Sequence, residues 1–223
     1  DGQFAGNFKA IGIAPSLTWF DGARASARVT TGKRHAWISC SPESEAYGTL
    51  DMLFSRLAPL FNQYGFITDT SGRIPSDVQG ASMAIATAHG QLTSEQLYIH
   101  RIADEQKLTD SPLALARALA GVELVILFVC SGGRVDRHPM ANTTVSLPKM
   151  LLDRGCRAVI ASPWPLAAVV PGNWLERFLG AWEAGDTVLD ANFKANQYVQ
   201  RRLGPEPGLG LAMMVYGDVL LTK

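Results

Sequence analysis

Leu124-Val125-Ile126-Leu127-Phe128-Val129 is an unbroken apolar run that stops abruptly at Cys130-Ser131-Gly132-Gly133. A run of this length without polar alternation fits a strand buried on both faces, as in parallel sheets covered by helices. His35 to Cys40, Ser82 to Ala88 and Arg157 to Ala161 are of the same kind, and Leu211 to Tyr216 predicts a late strand. Amphipathic stretches separate them. Leu50, Leu53, Phe54, Leu57, Leu60 and Phe61 recur at helical spacing, with Pro59 expected to kink that helix or restart it. Ser111-Pro112 predicts a helix start. Ser146-Leu147-Pro148 opens a short helix that stops at Gly155. Trp174, Leu175, Phe178, Leu179 and Trp182 form a stripe after Asn173, and Asp186 starts a helix through Leu189, Phe193 and Val199. The alternation predicts an α/β fold, a three-layer αβα sandwich around a mostly parallel central sheet.

Composition narrows the field. At 223 residues and 47% hydrophobic, with no repeat or linker, residues 1–223 read as a single domain able to bury its own core. Twenty Lys+Arg balance twenty Asp+Glu, so no basic field exists to hold nucleic acid. The longest nearly apolar stretch, Val122 to Cys130, falls far short of the roughly 20 residues that span a bilayer. Neither nucleic acid nor membrane is therefore expected as a partner. Cys40, Cys130 and Cys156 are odd in number and lack a CxxC pair, which predicts reduced thiols in a cytoplasmic setting. The sequence begins at Asp1 without a signal peptide and is expected to be a piece of a longer protein.

Two strand ends carry groups suited to chemistry: Ala88 leads into His89-Gly90, and Val129 into Cys130-Ser131. Ligands of open parallel sheets bind beyond the carboxyl ends of the strands, so neighbouring strands would bring imidazole and thiol to one cleft. A thiol is nucleophilic as thiolate, and an imidazole that takes its proton and returns one to a leaving amine gives acyl transfer. Gly90 leaves room for a substrate backbone, and the Gly90 and Cys130 amides are candidate oxyanion donors. Either residue alone also reads as an ordinary buried group.

The pattern extends over the chain. Ala14-Pro15-Ser16-Leu17, Ala88-His89-Gly90, Cys130-Ser131-Gly132-Gly133, the segment Gly155 to Leu166 and Tyr216-Gly217-Asp218 stand in an order that resembles the CHAT domain family of caspase-like cysteine peptidases. The resemblance implies a caspase-like fold with Cys130 as nucleophile, His89 as general base and acid, and Gly90 and Cys130 as oxyanion donors. It also implies that Ser131, Ser162, Pro163 and Trp164 contact an extended protein substrate. Trp164 reads equally as a core aromatic. Such domains often follow a sensor region, so an upstream sensor or regulatory partner, conditional activation and a role in bacterial defence or regulated cell death are implied too. Relatives specific for basic residues have an acidic residue soon after the matching tryptophan, whereas this chain reads Trp164-Pro165-Leu166-Ala167-Ala168. Cleavage after an uncharged or apolar residue is therefore expected, unless Asp136 supplies the charge. Val129 and Gly132 replace residues common in the family, and the usual segment before Ala14 is almost absent.

Other readings compete. A catalytically silent interaction domain would keep the fold without the chemistry. A rhodanese-like or phosphatase-like anion loop after Cys130 would need an arginine five or six positions on, where Val135 and Asp136 stand; Arg134 and Arg137 miss the register. Cys40 and Cys156 read as structural thiols. His35, His100 and His138 lack zinc-site spacing, so neither metal nor cofactor is expected.

Overall fold

The computed structural model describes residues 4–28, 30–40, 47–92, 98–104, 107–137, 144–204 and 206–223. The first half runs β1 (Gly12–Ile13), α1 (Leu17–Ala25), β2 (Arg34–Ile38), α2 (Tyr47–Gln63), β3 (Ile67–Asp69), β4 (Met83–Leu92), β5 (Tyr98–Asp104), β6 (Lys107–Asp110) and α3 (Pro112–Ala118). The second runs β7 (Leu124–Val129), β8 (Val135–Arg137), β9 (Thr144–Ser146), α4 (Leu147–Leu152), β10 (Ala158–Ala161), α5 (Val170–Glu183), α6 (Val188–Leu203), α7 (Pro207–Gly210) and β11 (Met214–Gly217).

The main sheet has the order β1-β11-β10-β7-β4-β2-β3. From β10 to β3 neighbouring strands are parallel, while β11 runs antiparallel to β10 and β1 lies parallel to β11 at the edge. Strand alternation sorts the core into two layers. Ile38, Met83, Ile85, Leu124, Ile126, Phe128 and Ile160 pack beneath α2, α5 and α6. Trp37, Ala84, Ala86, Val125, Leu127, Val129 and Val159 pack against α3 and α4 on the other face. This is the three-layer αβα sandwich that the apolar runs predict.

Several boundaries differ from the sequence reading. Pro59 does not restart α2, which runs through it without interruption. Leu50, Leu53, Leu57 and Phe61 are all buried along one stripe, and that packing offsets a helix-interior proline, which costs about 3 kcal/mol. Helix α5 begins at Val170 rather than after Asn173, with Pro171 in its first turn. Helix α6 is capped by Thr187, whose Oγ1 accepts from the Asp190 amide at 3.1 Å, while Asp186 pairs with Lys194 at 2.6 Å. The largest difference is β4. It does not end at Ala88 but continues to Leu92, leaving its parallel pairing with β7 at Ala88 to pair antiparallel with β5 from His89 onward.

Candidate active site

Strands β4 and β7 are neighbours in register, with Met83 opposite Leu124 and Ala88 opposite Val129. The next residue on each is His89 and Cys130, and adjacent strands lie about 4.8 Å apart. Alternation decides the face. Ala88 and Val129 point into the α3–α4 layer, so the following side chains fall on the α2–α5 side. There His89 and Cys130 line one cavity of about 460 Å³ with Leu50 and Leu53 of α2, Phe128 of β7, and Leu166, Ala168 and Pro171 ahead of and within the start of α5. Both residues are half-buried. The Cys130 thiol donates toward the Leu166 carbonyl at 3.9 Å. Gly90 is buried and sits in the β4–β5 ribbon opposite His100.

The loop after Cys130 is held in a single shape. Ser131 takes φ 57°, a left-handed conformation that costs a non-glycine residue about 1–3 kcal/mol when it persists. The amides that follow are all committed: Ser131 donates to Trp164 O at 3.0 Å, Gly132 to Val129 O at 3.0 Å, Gly133 to Ser162 O at 2.7 Å and Arg134 to Ser131 O at 3.0 Å. Gly133 has no space for a side chain, since a Cβ there would meet the Tyr216 hydroxyl at 2.7 Å and the Ser162 carbonyl carbon at 3.0 Å. The Tyr216 hydroxyl donates to Gly133 O at 3.0 Å, and burial pushes its pKa up to about 12, so it stays a donor at neutral pH. With its amides turned inward, this loop does not form the backbone anion cradle that a rhodanese-like or phosphatase-like reaction requires.

The segment leaving β10 is tied to this loop. Ser162 is fully buried, and its Oγ donates to Trp164 O at 2.8 Å. Leu166 and Ala168 reach the His89–Cys130 cavity, whereas Trp164 lines a separate hollow beside α6. The other candidates lie elsewhere. Cys156 donates to Leu119 O at 3.2 Å, and burial raises its pKa to about 12, which marks a structural thiol. Cys40 follows β2 and packs against the α2–α5 core; burial, then the nearby Asp51 charge, raises its pKa. His35 is buried within β2 between β3 and β4. His138 and the Ser41-Pro42 pair after Cys40 lie outside the described residues, as do the side chains of His100 and Asp136.

The opposite rim of the sheet carries the remaining motifs. Ser16 caps α1 by accepting from the Trp19 amide at 3.0 Å. Asp218, just past β11, is buried and meets Arg24 at 3.3 Å and Arg157 at 4.0 Å. Glu123 holds Arg28 through both carboxylate oxygens, a bond that raises the arginine pKa. Gly217 takes φ +100°, and a Cβ there would collide with the Arg157 carbonyl. What sequence reasoning missed at the site is its wall: Leu50 and Leu53 reveal themselves only as a helical stripe, and nothing in their spacing says that the stripe ends at a cavity.

Comparison with solved structures gives the class of this architecture: it is the caspase-like α/β fold. Separase in the Saccharomyces cerevisiae separase–securin complex matches 95% of this chain with a TM-score of 0.65 and 14% identity. The Arg-specific cysteine proteinase gingipain R matches 93% with a TM-score of 0.60 and 14% identity, and the complex of Porphyromonas gingivalis RgpB pro- and mature domains matches 91% with a TM-score of 0.57 and 16% identity. The chain spans only 14% of the separase chain and 52% of the gingipain chains. No family model and no curated protein matches it. Among the described residues no helix is long and apolar enough to cross a membrane.

Proposed function

We propose that this chain is a cysteine endopeptidase domain of the CHAT type, working through a His89–Cys130 dyad. One observation carries the reading: two groups far apart in sequence each follow the last register-matched pair, Ala88 and Val129, of two adjacent parallel strands and line the same cavity. In the proposed reaction His89 removes the Cys130 proton and the thiolate attacks the scissile carbonyl, its oxyanion held by the Gly90 and Cys130 amides. Collapse expels the amine, which takes a proton from the imidazolium, and water then hydrolyses the thioester. Ser131 and Pro163 are assigned to extended-substrate contact; the resemblance implies the same for Ser162 and Trp164, but Ser162 is fully buried and Trp164 lines the separate hollow, so neither faces the His89–Cys130 cavity.

The cavity supports a preference for an uncharged or apolar residue at the cleavage site. Its described walls are Leu50, Leu53, Phe128, Leu166, Ala168 and Pro171 with Thr49, and no carboxylate is among them. Among these described walls a lysine or arginine would find no ion-pair partner. The Arg-specific proteinase with this fold, gingipain R, differs in preference on this reading. Separase is seen with a protein partner, securin, and a sensor or regulatory partner is proposed for this chain as well, in bacterial defence or regulated cell death. Digestion of a peptide library, read by mass spectrometry, tests the reading. Cleavage that is lost in both Cys130→Ala and His89→Ala supports it, and cleavage mainly after Arg or Lys overturns the pocket argument. Binding without cleavage by the wild type overturns the peptidase.

A further inference from the structure

The chain is neutral overall, with twenty Lys+Arg against twenty Asp+Glu, yet the exposed side of the α5–α6 pair is basic. Lys194, Gln197, Tyr198 and Arg201 recur on α6 at the three- and four-residue spacing that places side chains on one stripe. With Arg177 of α5 they line a shallow hollow of about 120 Å³, and among the described residues that line it there is no carboxylate. Arg202 stands beside the stripe with its guanidinium over the Tyr198 ring, 5.8 Å from the centroid. Arg177, Lys194, Arg201 and Arg202 are all exposed, so their charges are within reach of a partner.

The way these arginines are held sets them apart. Near the start of β7 and the end of β11, arginines meet carboxylates: Arg28 is held by Glu123, and Arg24 meets Asp218. On α6, Arg201 donates to Gln197 Oε1 at 3.0 Å and Arg202 to the Tyr198 hydroxyl at 2.7 Å. Neutral acceptors fix the direction of a guanidinium without cancelling its charge. Arg177 enters no ion pair among the described residues, and of the four cations only Lys194 has a carboxylate, Asp186 at 2.6 Å. Cations in the last turn of a helix offset its dipole, which accounts for Arg201 and Arg202 but not for Arg177 and Lys194 in mid-helix.

Lys194 and Arg201 lie seven residues apart, about 10 Å along the helix, which is the reach of about three residues of extended chain. Four cations spread over two helices suit several carboxylates carried on one chain. We propose that this patch docks an acidic segment of a partner protein, its carboxylates meeting Arg177, Arg201 and Arg202 across α5 and α6. Nucleic acid fits the patch worse. It gains affinity with the number of phosphates neutralised, and single-strand sites track about 4–16 nucleotides, far beyond this stripe. The docking stands on these side chains and not on the peptidase reading.

Fluorescence anisotropy tests this on the full chain carrying Cys130→Ala, so that the probe stays intact. The probe is a rhodamine-labelled Asp-Glu-Asp-Glu-Asp peptide. Saturable binding is expected that weakens as salt rises and is absent for the matching Asn-Gln-Asn-Gln-Asn peptide. Arg177→Gln and Arg201→Gln are each expected to weaken binding about threefold and together about tenfold, since exposed ion pairs are individually modest. Arg117→Gln, exposed on α3 across the sheet, is expected to leave the affinity unchanged. All three substitutions fall at exposed positions, and the variants are expected to keep the denaturation midpoint of the parent. Three results overturn the docking: no saturable binding to the folded protein, equal weakening by Arg117→Gln, or a labelled oligothymidylate of the same charge that binds more tightly than the peptide.

Discussion

The two rims of the central sheet use polar residues in opposite ways. Where β4 and β7 stop pairing, His89 and Cys130 stand half-buried at an apolar cavity. At the other rim, Asp218 and Glu123 are buried, Asp218 meeting two arginines and Glu123 held to one. Charges paired within the chain hold the architecture, whereas the groups at the cavity line a space that something outside the chain can enter. Motifs equally conspicuous in sequence therefore do unlike work: Ala14-Pro15-Ser16-Leu17 and Tyr216-Gly217-Asp218 fix the edge of the sheet, and Ala88-His89-Gly90 and Cys130-Ser131-Gly132-Gly133 shape the site.

Substitution at each rim separates the two roles most sharply. Cys130→Ala is expected to abolish turnover, and His89→Ala to lower it about 10²–10⁴-fold, with the denaturation midpoint unchanged in both. Asp218→Ala reverses that pattern: it removes a buried carboxylate that meets Arg157 and half-exposed Arg24 and accepts from the Leu220 amide, and is expected to cost about 1–3 kcal/mol in urea titration, with turnover per folded molecule retained. If Asp218→Ala instead removed turnover from a stable protein, the division between the rims would fail. A site that borrows its shape from β11 should respond in both ways. Gly133→Ala is expected to cost about 1–3 kcal/mol, as overpacking does, and to depress turnover at the same time. Tyr216→Phe, which removes only the hydroxyl bond to Gly133, is expected to cost about 1 kcal/mol with a smaller fall in turnover.

The last effect concerns pH and belongs to the buried Cys156 thiol. Burial raises the Cys156 pKa to about 12, so the folded state favours the neutral thiol. That contribution is whole below the unfolded thiol pKa of about 8.5 and is lost as pH rises from there toward 12. Urea midpoints measured from pH 7 to 10 are expected to fall less steeply for Cys156→Ala than for the wild type. Equal slopes would mean that this thiol is not held neutral.

The sequence made the buried layers legible because alternation and apolar runs record how much water each position loses. That was enough for the five strands read from apolar runs, the main helices and the neighbouring strands that carry His89 and Cys130 to one cavity. It did not reveal the β5–β6 ribbon, since Tyr98-Ile99-His100-Arg101 and Lys107-Leu108-Thr109-Asp110 mix charge with apolar residues and lack a core period. Nor did it show that Trp164 turns toward the 4–11 segment while Leu166 and Ala168 wall the cavity. Which side chain faces which space depends on long-range packing, and local spacing does not encode that.

The hydroxyl contact between Tyr216 and Gly133 bridges 83 positions of chain. A ribosome makes the thiol-bearing turn long before it makes the strand that clasps it. A nascent or truncated polypeptide that stops short of Tyr216 thus carries the sulfur without the clasp that sets its neighbourhood, so the timing of synthesis itself delays the arrival of a competent loop.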